Sequence, residues 1–337
     1  MALRSAPPPA RAAAKPQAPA APSSRLTAAV AICTYTEKRW DDLAGAIGSL
    51  RKQTRAPDEI VVVVDHNPSL FARVRREFSF VVAVENRFNQ GLSGARNTAV
   101  GVSSCAVMLF LDDDAEAMPN WVERAMATFS DPQVLGVGCR ITGAWEGSRP
   151  QWFPPEFDWV VGCSYRGVPE QPSRIRNPLG AAMGIRRDAL EATAGFRSEL
   201  GRYKKIPLGC EETELCIRAG QSRPDGHFIQ QPSAVVLHRV PAERQTFNYF
   251  RRRCFAEGMS KAMVGRFVGA GAGLAAERRH VMTALPAGIA RGVDDAAAGD
   301  LWGFVRGAAI AIGLAFTVAG YAAGVVWAGM QSRRVRE

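Results

Sequence analysis

Leu109-Phe110-Leu111-Asp112-Asp113-Asp114 is the stretch that decides the fold. An apolar run ending in acids reads as a buried strand that delivers carboxylates to the carboxyl edge of a sheet. Open α/β sheets hold their ligands at that edge. Residues i and i+2 of an extended chain point the same way. Asp112 and Asp114 are therefore expected to face one ligand together, with Asp113 facing away. Two convergent carboxylates make a hard-oxygen site suited to Mg²⁺ or Mn²⁺, and such a metal usually serves a phosphate. Further along, Gly209-Cys210-Glu211-Glu212-Thr213-Glu214 is a second acidic cluster and a candidate source of a general base. A metal for a diphosphate plus a separate base suggests group transfer from a nucleotide-activated donor.

Working outward, the first half alternates strand and helix patterns. Thr27–Cys33, Glu59–Asp65, Val81–Glu85 and Ala106–Leu111 read as strands. The second is nearly continuous in valine, the signature of a parallel strand covered on both faces. Arg39–Gln53, Pro68–Phe78 and Gly91–Val102 read as helices, as does Met118–Phe129, with Pro119 near its first turn. This βαβα order predicts a doubly wound, mostly parallel sheet. Residues 141–178 are rich in Trp, Pro and Gly and read as loop with aromatic anchors, either an acceptor-side surface or a cap on the core. A helix from Glu211 to Ala219 follows, then short strands at His227–Gln230 and Ala234–His238. A long helix over Glu243–Val264 carries Arg251-Arg252-Arg253.

The 337 residues are 47% hydrophobic and 22% charged, a globular composition. A net charge of +10 suits nucleic acid, anionic lipid or a phosphorylated substrate. No zinc-finger or RNA-binding signature supports nucleic acid as a partner. The seven cysteines are odd in number and lack a CxxC pair, so they read as thiols in a reducing compartment. The four histidines show no metal-site spacing. Residues 1–25 are Ala/Pro-rich, carry only positive charge and have no apolar signal-peptide core; disorder is expected there. From Gly307 to Ser332 there is no charge. Residues 307–332 form a candidate transmembrane helix, long enough for a hydrocarbon core of about 30 Å; a buried core helix is the alternative. Arg306 precedes it, and the basic tail 333–337 follows, so charge leaves its orientation open. Gly320 and Gly324 make a GxxxG, a candidate packing face. Residues 266–306 read as an amphipathic, membrane-proximal segment after a soluble domain over 26–265.

Several blocks occur in order: Val30–Tyr35 (VAICTY), Asp58–Asn67 (DEIVVVVDHN), Asn89–Asn97 (NQGLSGARN), Leu111–Asp114, Gly180–Arg187 (GAAMGIRR), Gly195-Phe196 and Gly209–Arg218 (GCEETELCIR). Together they resemble a glycosyltransferase of family 2. The resemblance runs roughly from residue 27 to residue 262 and implies the GT-A fold, a Rossmann-like, doubly wound mixed sheet. It implies that Thr34 and Asp65 wall the nucleobase and ribose. The segment bearing Asn89, Gly91 and Arg96 offers backbone N–H groups, a helix N-terminus and an arginine to an anion. Arg96 has two candidate partners, a donor phosphate or Asp65. Asp112 and Asp114 match the metal-binding acids, and Asp113 a ribose contact. His238, at a strand end, is a further metal or phosphate ligand or a structural residue. Arg251, Arg252 and Arg253 face either a diphosphate or lipid phosphate, or solvent.

The acidic block departs from the family pattern, in which the base is the Asp of an E-D pair. Glu212 stands there, one methylene longer, with Glu211 as the fallback base. The E-E-T-E form, with Trp152-Phe153-Pro154 and Trp159–Arg166 (WVVGCSYR), resembles a narrower branch described as glucosyl-dolichyl-phosphate glucuronosyltransferase-like, which ends in a membrane segment. The resemblance thus implies a membrane-anchored, inverting enzyme with Mn²⁺ or Mg²⁺ and a cytoplasmic catalytic domain. Its donor is a UDP- or GDP-sugar, and its acceptor a lipid-linked or envelope glycan. Two rivals stand beside it: a polyprenyl-phosphate sugar synthase using the lipid phosphate as nucleophile, and a non-catalytic sugar-nucleotide-binding membrane scaffold. Neither the sugar nor the oligomeric state is specified by these motifs.

Overall fold

The computed structural model describes residues 25–201 and 208–334. The Ala/Pro-rich segment, but for Arg25, and the tail beyond residue 334 lie outside the described residues. The valine-rich runs form β1 (Ala28–Thr34), β2 (Glu59–Val64), β3 (Val82–Glu85) and β4 (Val107–Asp112), parallel and in the spatial order β3-β2-β1-β4. The connections are α1 (Trp40–Arg51), α2 (Pro68–Glu77) and α3 (Leu92–Val102). Side chains alternate across each strand. Val30, Ile32, Leu109 and Leu111 pack with Leu43 and Leu70 in one core. Ala29, Ala31, Met108 and Phe110 pack with Ala95 and Ala99 in the other. Covering both faces is what makes these strands apolar throughout. The same alternation sends Asp112 along the Met108–Phe110 face and Asp113 to the opposite one.

Beyond β4 the sheet becomes mixed. The chain runs through β5 (Ala115–Ala117), α4 (Trp121–Thr128), β6 (Val134–Trp145), β7 (Ser173–Ile175), β8 (Ala182–Arg186), α5 (Arg187–Ala192), α6 (Glu211–Ser222) and β9 (His227–Val240). β8 is antiparallel to β4 and β6, while β9 is parallel to β6 and antiparallel to β5 and β7. The result is a nine-stranded sheet, β3-β2-β1-β4-β8-β6-β9-β5, with β7 beside β9.

Several boundaries differ from the sequence reading, each for a local reason. The helix expected from Met118 begins at Trp121, because the Met118 N–H donates to the Val235 carbonyl and holds the chain extended. The two short strands expected at 227–230 and 234–238 are one strand, β9. Its partner register jumps from Cys139↔Gln231 to Arg140↔Val235. Pro232 therefore sits in an irregularity where no ladder N–H is required. Residues 141–178 are not loop throughout: β6 extends to Trp145, and Pro155–Val161 form a 3₁₀ helix. Their aromatics cap the core. Phe250 lies 5.6 Å from Trp152, 5.5 Å from Phe153 and 5.3 Å from Phe157, ring centre to ring centre.

The C-terminal part is helical: α7 (Phe247–Val268), α8 (Ala270–Gly273), α9 (Ala275–Ala297) and α10 (Trp302–Arg334). α7 starts later than the expected Glu243, because the Thr246 side chain accepts from the Tyr249 N–H and caps it there. It also runs past residue 265, the expected domain boundary. α10 begins at Trp302 rather than Gly307, and its span Trp302–Met330 is long and apolar enough to cross a membrane.

Candidate active site

β1, β2 and β4 end side by side, and Thr34, Asp65 and the three aspartates stand at that edge. β5 leaves Asp114 directly into a ladder with β9. Ala115 pairs with His238, and the Arg239 N–H donates to the Asp114 carbonyl at 2.9 Å. One short strand pair thus joins two distant parts of the sequence. His238 Nε2 lies 3.1 Å from Asp114 Oδ1. The ligand-capable atoms of Asp112, Asp114 and His238 all lie within 4.8 Å of one another. Two carboxylate oxygens and an imidazole nitrogen at this spacing fit a small divalent cation. Arg244 at 3.1 Å and Arg39 at 3.4 Å also reach Asp114 Oδ2. Burial would raise the Asp114 pKa, but His238 and these arginines hold it below the usual carboxylate range. Burial would lower the His238 pKa, but the hydrogen bond to Asp114 outweighs it and pushes it up to about 10.

Asp113 faces away from this trio, as strand alternation requires. Its two oxygens take hydrogen bonds of 2.8 Å from Thr34 Oγ1 and 2.8 Å from Arg39 Nη1. Burial raises its pKa to about 6 against the pull of Arg39. Asp65 organises the turn that leads into α3. It accepts from Asn86 Nδ2 at 2.6 Å and from the Gly91 N–H at 2.9 Å, and it lies 2.8 Å from His66 Nδ1. Gly91 has φ of 144°, a conformation that side-chain-bearing residues avoid. Asn89 is exposed, and its carbonyl accepts from Asn86 Nδ2 at 3.2 Å.

Arg96 is not a partner of Asp65. It lies on the face of α3 that packs over Phe110 and Phe196. There it is 2% exposed and donates to Glu211 Oε1 at 3.0 Å and to the Gly180 carbonyl at 2.8 Å. Asp112 Oδ1 is 3.7 Å away. Arg96 therefore bridges the two acidic clusters that the sequence holds far apart.

α6 begins at Cys210, whose φ of 71° is left-handed and unusual outside glycine. The turn presents Glu211 and Glu212 in the first turn of the helix, where its dipole favours negative charge. Glu211 is buried against Arg96. Among the described residues no side chain hydrogen-bonds Glu212. Burial and the charge of Glu211 raise the Glu212 pKa to about 7, against the opposing pull of Arg96. Glu212 stands by Gly180. A Cβ added there would lie 3.2 Å from Arg96 Nη2 and 3.5 Å from Glu212 Cδ.

The triple arginine on α7 is placed differently. Arg251 and Arg252 are exposed, Arg251 donating to Asn248 Oδ1 at 3.1 Å, while Arg253 lies 3.7 Å from Glu257. The arginines on the aspartates are Arg39 and Arg244, which the sequence reading did not single out. Arg39 follows the first strand closely enough to have been a candidate; Arg244 carries no local signal.

The family model described as glycosyl transferase family 2 matches residues 29–193. A glucosyl-dolichyl phosphate glucuronosyltransferase of Haloferax volcanii is 30% identical over 243 residues, covering 71% of this chain and 77% of the relative. This chain belongs to glycosyl transferase family 2. The succinoglycan biosynthesis protein ExoM of Rhizobium meliloti is 25% identical over 71% of this chain and 75% of its own length. The mannosyltransferase PcManGT of Pyrobaculum calidifontis, solved with GDP-Man and Mn²⁺, superposes with a TM-score of 0.56 at 17% identity, covering 91% of this chain and 88% of that one. GalNAc-T7, solved with UDP, GalNAc and Mn²⁺, gives a TM-score of 0.51 at 18% identity over 71% of this chain and 51% of that one. The family member described here has the GT-A fold expected from its motifs, and it is a glycosyltransferase.

Proposed function

We propose that this glycosyltransferase is a metal-dependent, inverting hexosyltransferase that moves a sugar from a UDP- or GDP-sugar to a lipid-linked glycan acceptor at a membrane, with its catalytic domain on the cytoplasmic side. The observation that carries the reading is the convergence, around Arg96, of a cation-fitting trio with a glutamate poised near neutral pH. Asp112, Asp114 and His238 would hold Mn²⁺ or Mg²⁺, which when bound offsets charge on the departing nucleoside diphosphate. Thr34, Asp65 and the Gly91 turn lie at the same edge, where open α/β sheets seat nucleotides. The acceptor O–H gives its proton to Glu212 as its oxygen bonds to the sugar C1. The bond from C1 to the diphosphate breaks on the opposite face, and the electron pair leaves with the nucleoside diphosphate. A positioned base of this kind contributes about 10²–10⁴-fold. Glu211 is already paired with Arg96, so Glu212 is the freer base of the two. The Haloferax relative is named for a dolichyl-phosphate-linked substrate, which supports a lipid-linked acceptor here.

The test is a panel of radiolabelled UDP- and GDP-sugars with Mn²⁺ or Mg²⁺, offered to membranes that carry wild type, Glu212→Gln or Asp114→Ala. Label entering the lipid extract with wild type alone is expected. Transfer by the Glu212→Gln enzyme at the wild-type rate would instead favour a lipid phosphate as nucleophile, which needs no base. Donor binding without turnover on any membrane extract would favour a scaffold.

A further inference from the structure

α10 has the length of a membrane span but not the surroundings of one. It lies parallel to α7 over its apolar stretch. Gly313 packs on Phe157 and Phe250, Gly320 on the backbone of Phe255, and Gly324 against Met259 and Ala262, where an added Cβ would lie 2.9 Å from Met259 Cα. Near the far end, Arg266 Nη1 donates to the Ala328 carbonyl at 3.1 Å. The Gly320/Gly324 pair is thus used within the chain, against α7. From Gly313 to Ala328 this contact runs about 22 Å at 1.5 Å per residue. α7 in turn is fastened to the catalytic domain: the Gly209 N–H donates to Ser260 Oγ at 3.1 Å, and Cys210 Sγ lies 3.2 Å from Glu257 Oε1. Were α10 to cross a bilayer in this packing, α7 would enter the hydrocarbon beside it. With it would go Arg251, Arg252, Arg253, Glu257, Lys261 and Arg266, side chains that hydrocarbon excludes.

The free face of α10 points to another arrangement. Phe304, Val305, Ile312, Val318, Val325 and Val326 are exposed. They recur at intervals of about seven residues and so form one stripe along the whole helix. The opposite stripe, Gly303, Ile310, Gly313, Gly320 and Gly324, is buried or packed on protein. α9 lies against the start of α10, with the backbones of Gly292 and Gly303 in contact, and adds exposed Met282, Ile289 and Val293. Between Asp300 and Glu337 the chain has no acid; Arg306 before the apolar stretch pairs with Asp295 and Asp300 at 2.6 and 2.7 Å, while Arg333, Arg334 and Arg336 follow the stretch. An apolar stripe free of acids and followed by a basic cluster matches an anionic lipid surface.

We propose that α9 and α10 dock this protein onto the surface of an anionic lipid bilayer, with α10 lying in the membrane plane and its Phe304–Val326 stripe dipping among the acyl chains. The helix does not cross. The arrangement does not depend on which sugar is transferred or on whether transfer occurs.

Epitopes placed before Met1 and after Glu337 of the full chain test this in sealed membrane vesicles of known orientation. Both epitopes are expected on the same side, cut by added protease together. Epitopes on opposite sides would overturn the proposal. Purified protein is also expected to bind vesicles of phosphatidylcholine mixed with phosphatidylglycerol. The Val318→Glu, Val325→Glu double variant should bind them at least tenfold more weakly, with unfolding temperature unchanged because both side chains face outward. Wild type failing to bind such vesicles, or the double variant binding equally well, would equally overturn it.

Discussion

Replacing Glu212 by glutamine is expected to abolish transfer while making the fold more stable above neutral pH. The carboxyl is raised from 4.5 to about 7, first by burial and then by the charge of Glu211, against Arg96. A carboxyl whose folded pKa exceeds its unfolded one binds its proton more tightly in the folded state. Below pH 4.5 it is protonated in both states and contributes nothing. As pH rises from there through 7, the folded state must ionise a group it prefers neutral, so stability is lost. At 1.36 kcal/mol per pH unit the full loss is on the order of 3 kcal/mol. Glutamine keeps the shape without the charge. The variant should therefore unfold like wild type at pH 4 and at a higher temperature at pH 8. In transfer assays the wild-type rate should fall below pH 7, with about a tenth of the base ionised at pH 6 and about 1% at pH 5. The variant should lose about 10²–10⁴-fold at pH 8 and keep nucleotide binding. Thermal unfolding and labelled-donor transfer across pH 4–8 test both limbs. If Glu212 merely capped α6, removing its charge would lower stability at pH 8. That result, or turnover within a factor of ten of wild type, would refute the assignment.

Three further outcomes follow from the same geometry. Asp114→Ala removes the carboxylate shared by His238, Arg244 and Arg39; calorimetric binding of a nucleoside diphosphate should lose its dependence on Mn²⁺, and transfer should fall at least about 100-fold. Binding still enhanced by Mn²⁺ would sink the metal assignment. Arg96→Met strands Glu211 in a buried position and should cost about 3–5 kcal/mol in chemical unfolding. Adding Glu211→Gln should recover part of that cost, and no recovery would mean the two residues are uncoupled. Gly258→Ala places a methyl against the Thr317 carbonyl and the Tyr321 N–H of α10; overpacking should cost about 1–3 kcal/mol, and a variant as stable as wild type would show that the helices are not held this closely.

What could be read from the sequence was local in origin. Strands β1, β2 and β4 declare themselves because burial on both faces demands runs such as Ile60–Val64, and the Asp112/Asp113 split follows from the two-residue period of β4. Glu212 was legible through its block, beside the first turn of α6. The features that escaped depend on distant contacts. Pro232 reads as a strand breaker, and only the partner register of β6 lets β9 run past it. Arg244 reaches Asp114 across 130 positions because β5 and β9 pair, and no spacing rule marks that. Hydropathy measured the length of α10 but not which face is covered, since a helix packed on α7 and one surrounded by lipid have the same composition. The glycines at 313, 320 and 324 were the available hint, but a GxxxG does not name its partner.

Glu211 and Glu212 show how one arginine assigns different work to neighbouring, chemically identical groups. Arg96 is buried and must keep its charge compensated, so it takes the carboxylate it can reach in the dry interior, Glu211, at 3.0 Å. That pairing ties the Glu211 carboxylate to a positive partner. It also fixes a negative charge next to Glu212, whose own share of Arg96 is smaller, and burial adds to the penalty on ionising it. The base strength of Glu212 is thus set by a pairing in which it takes no direct part. Swapping which glutamate meets Arg96 would swap their roles, and this is why the position of Gly180 matters. With no side chain, its backbone carbonyl can fix the second arm of Arg96 at 2.8 Å and leave room for Glu212 at the same point. A larger residue there would push the guanidinium or the glutamate aside. Asp112, 3.7 Å from the same guanidinium, extends the argument to the cation-fitting trio. The charge state of one acidic cluster bears on the other through a single buried side chain, so in the proposed mechanism proton acceptance and support of the leaving group would be set by one electrostatic unit rather than two.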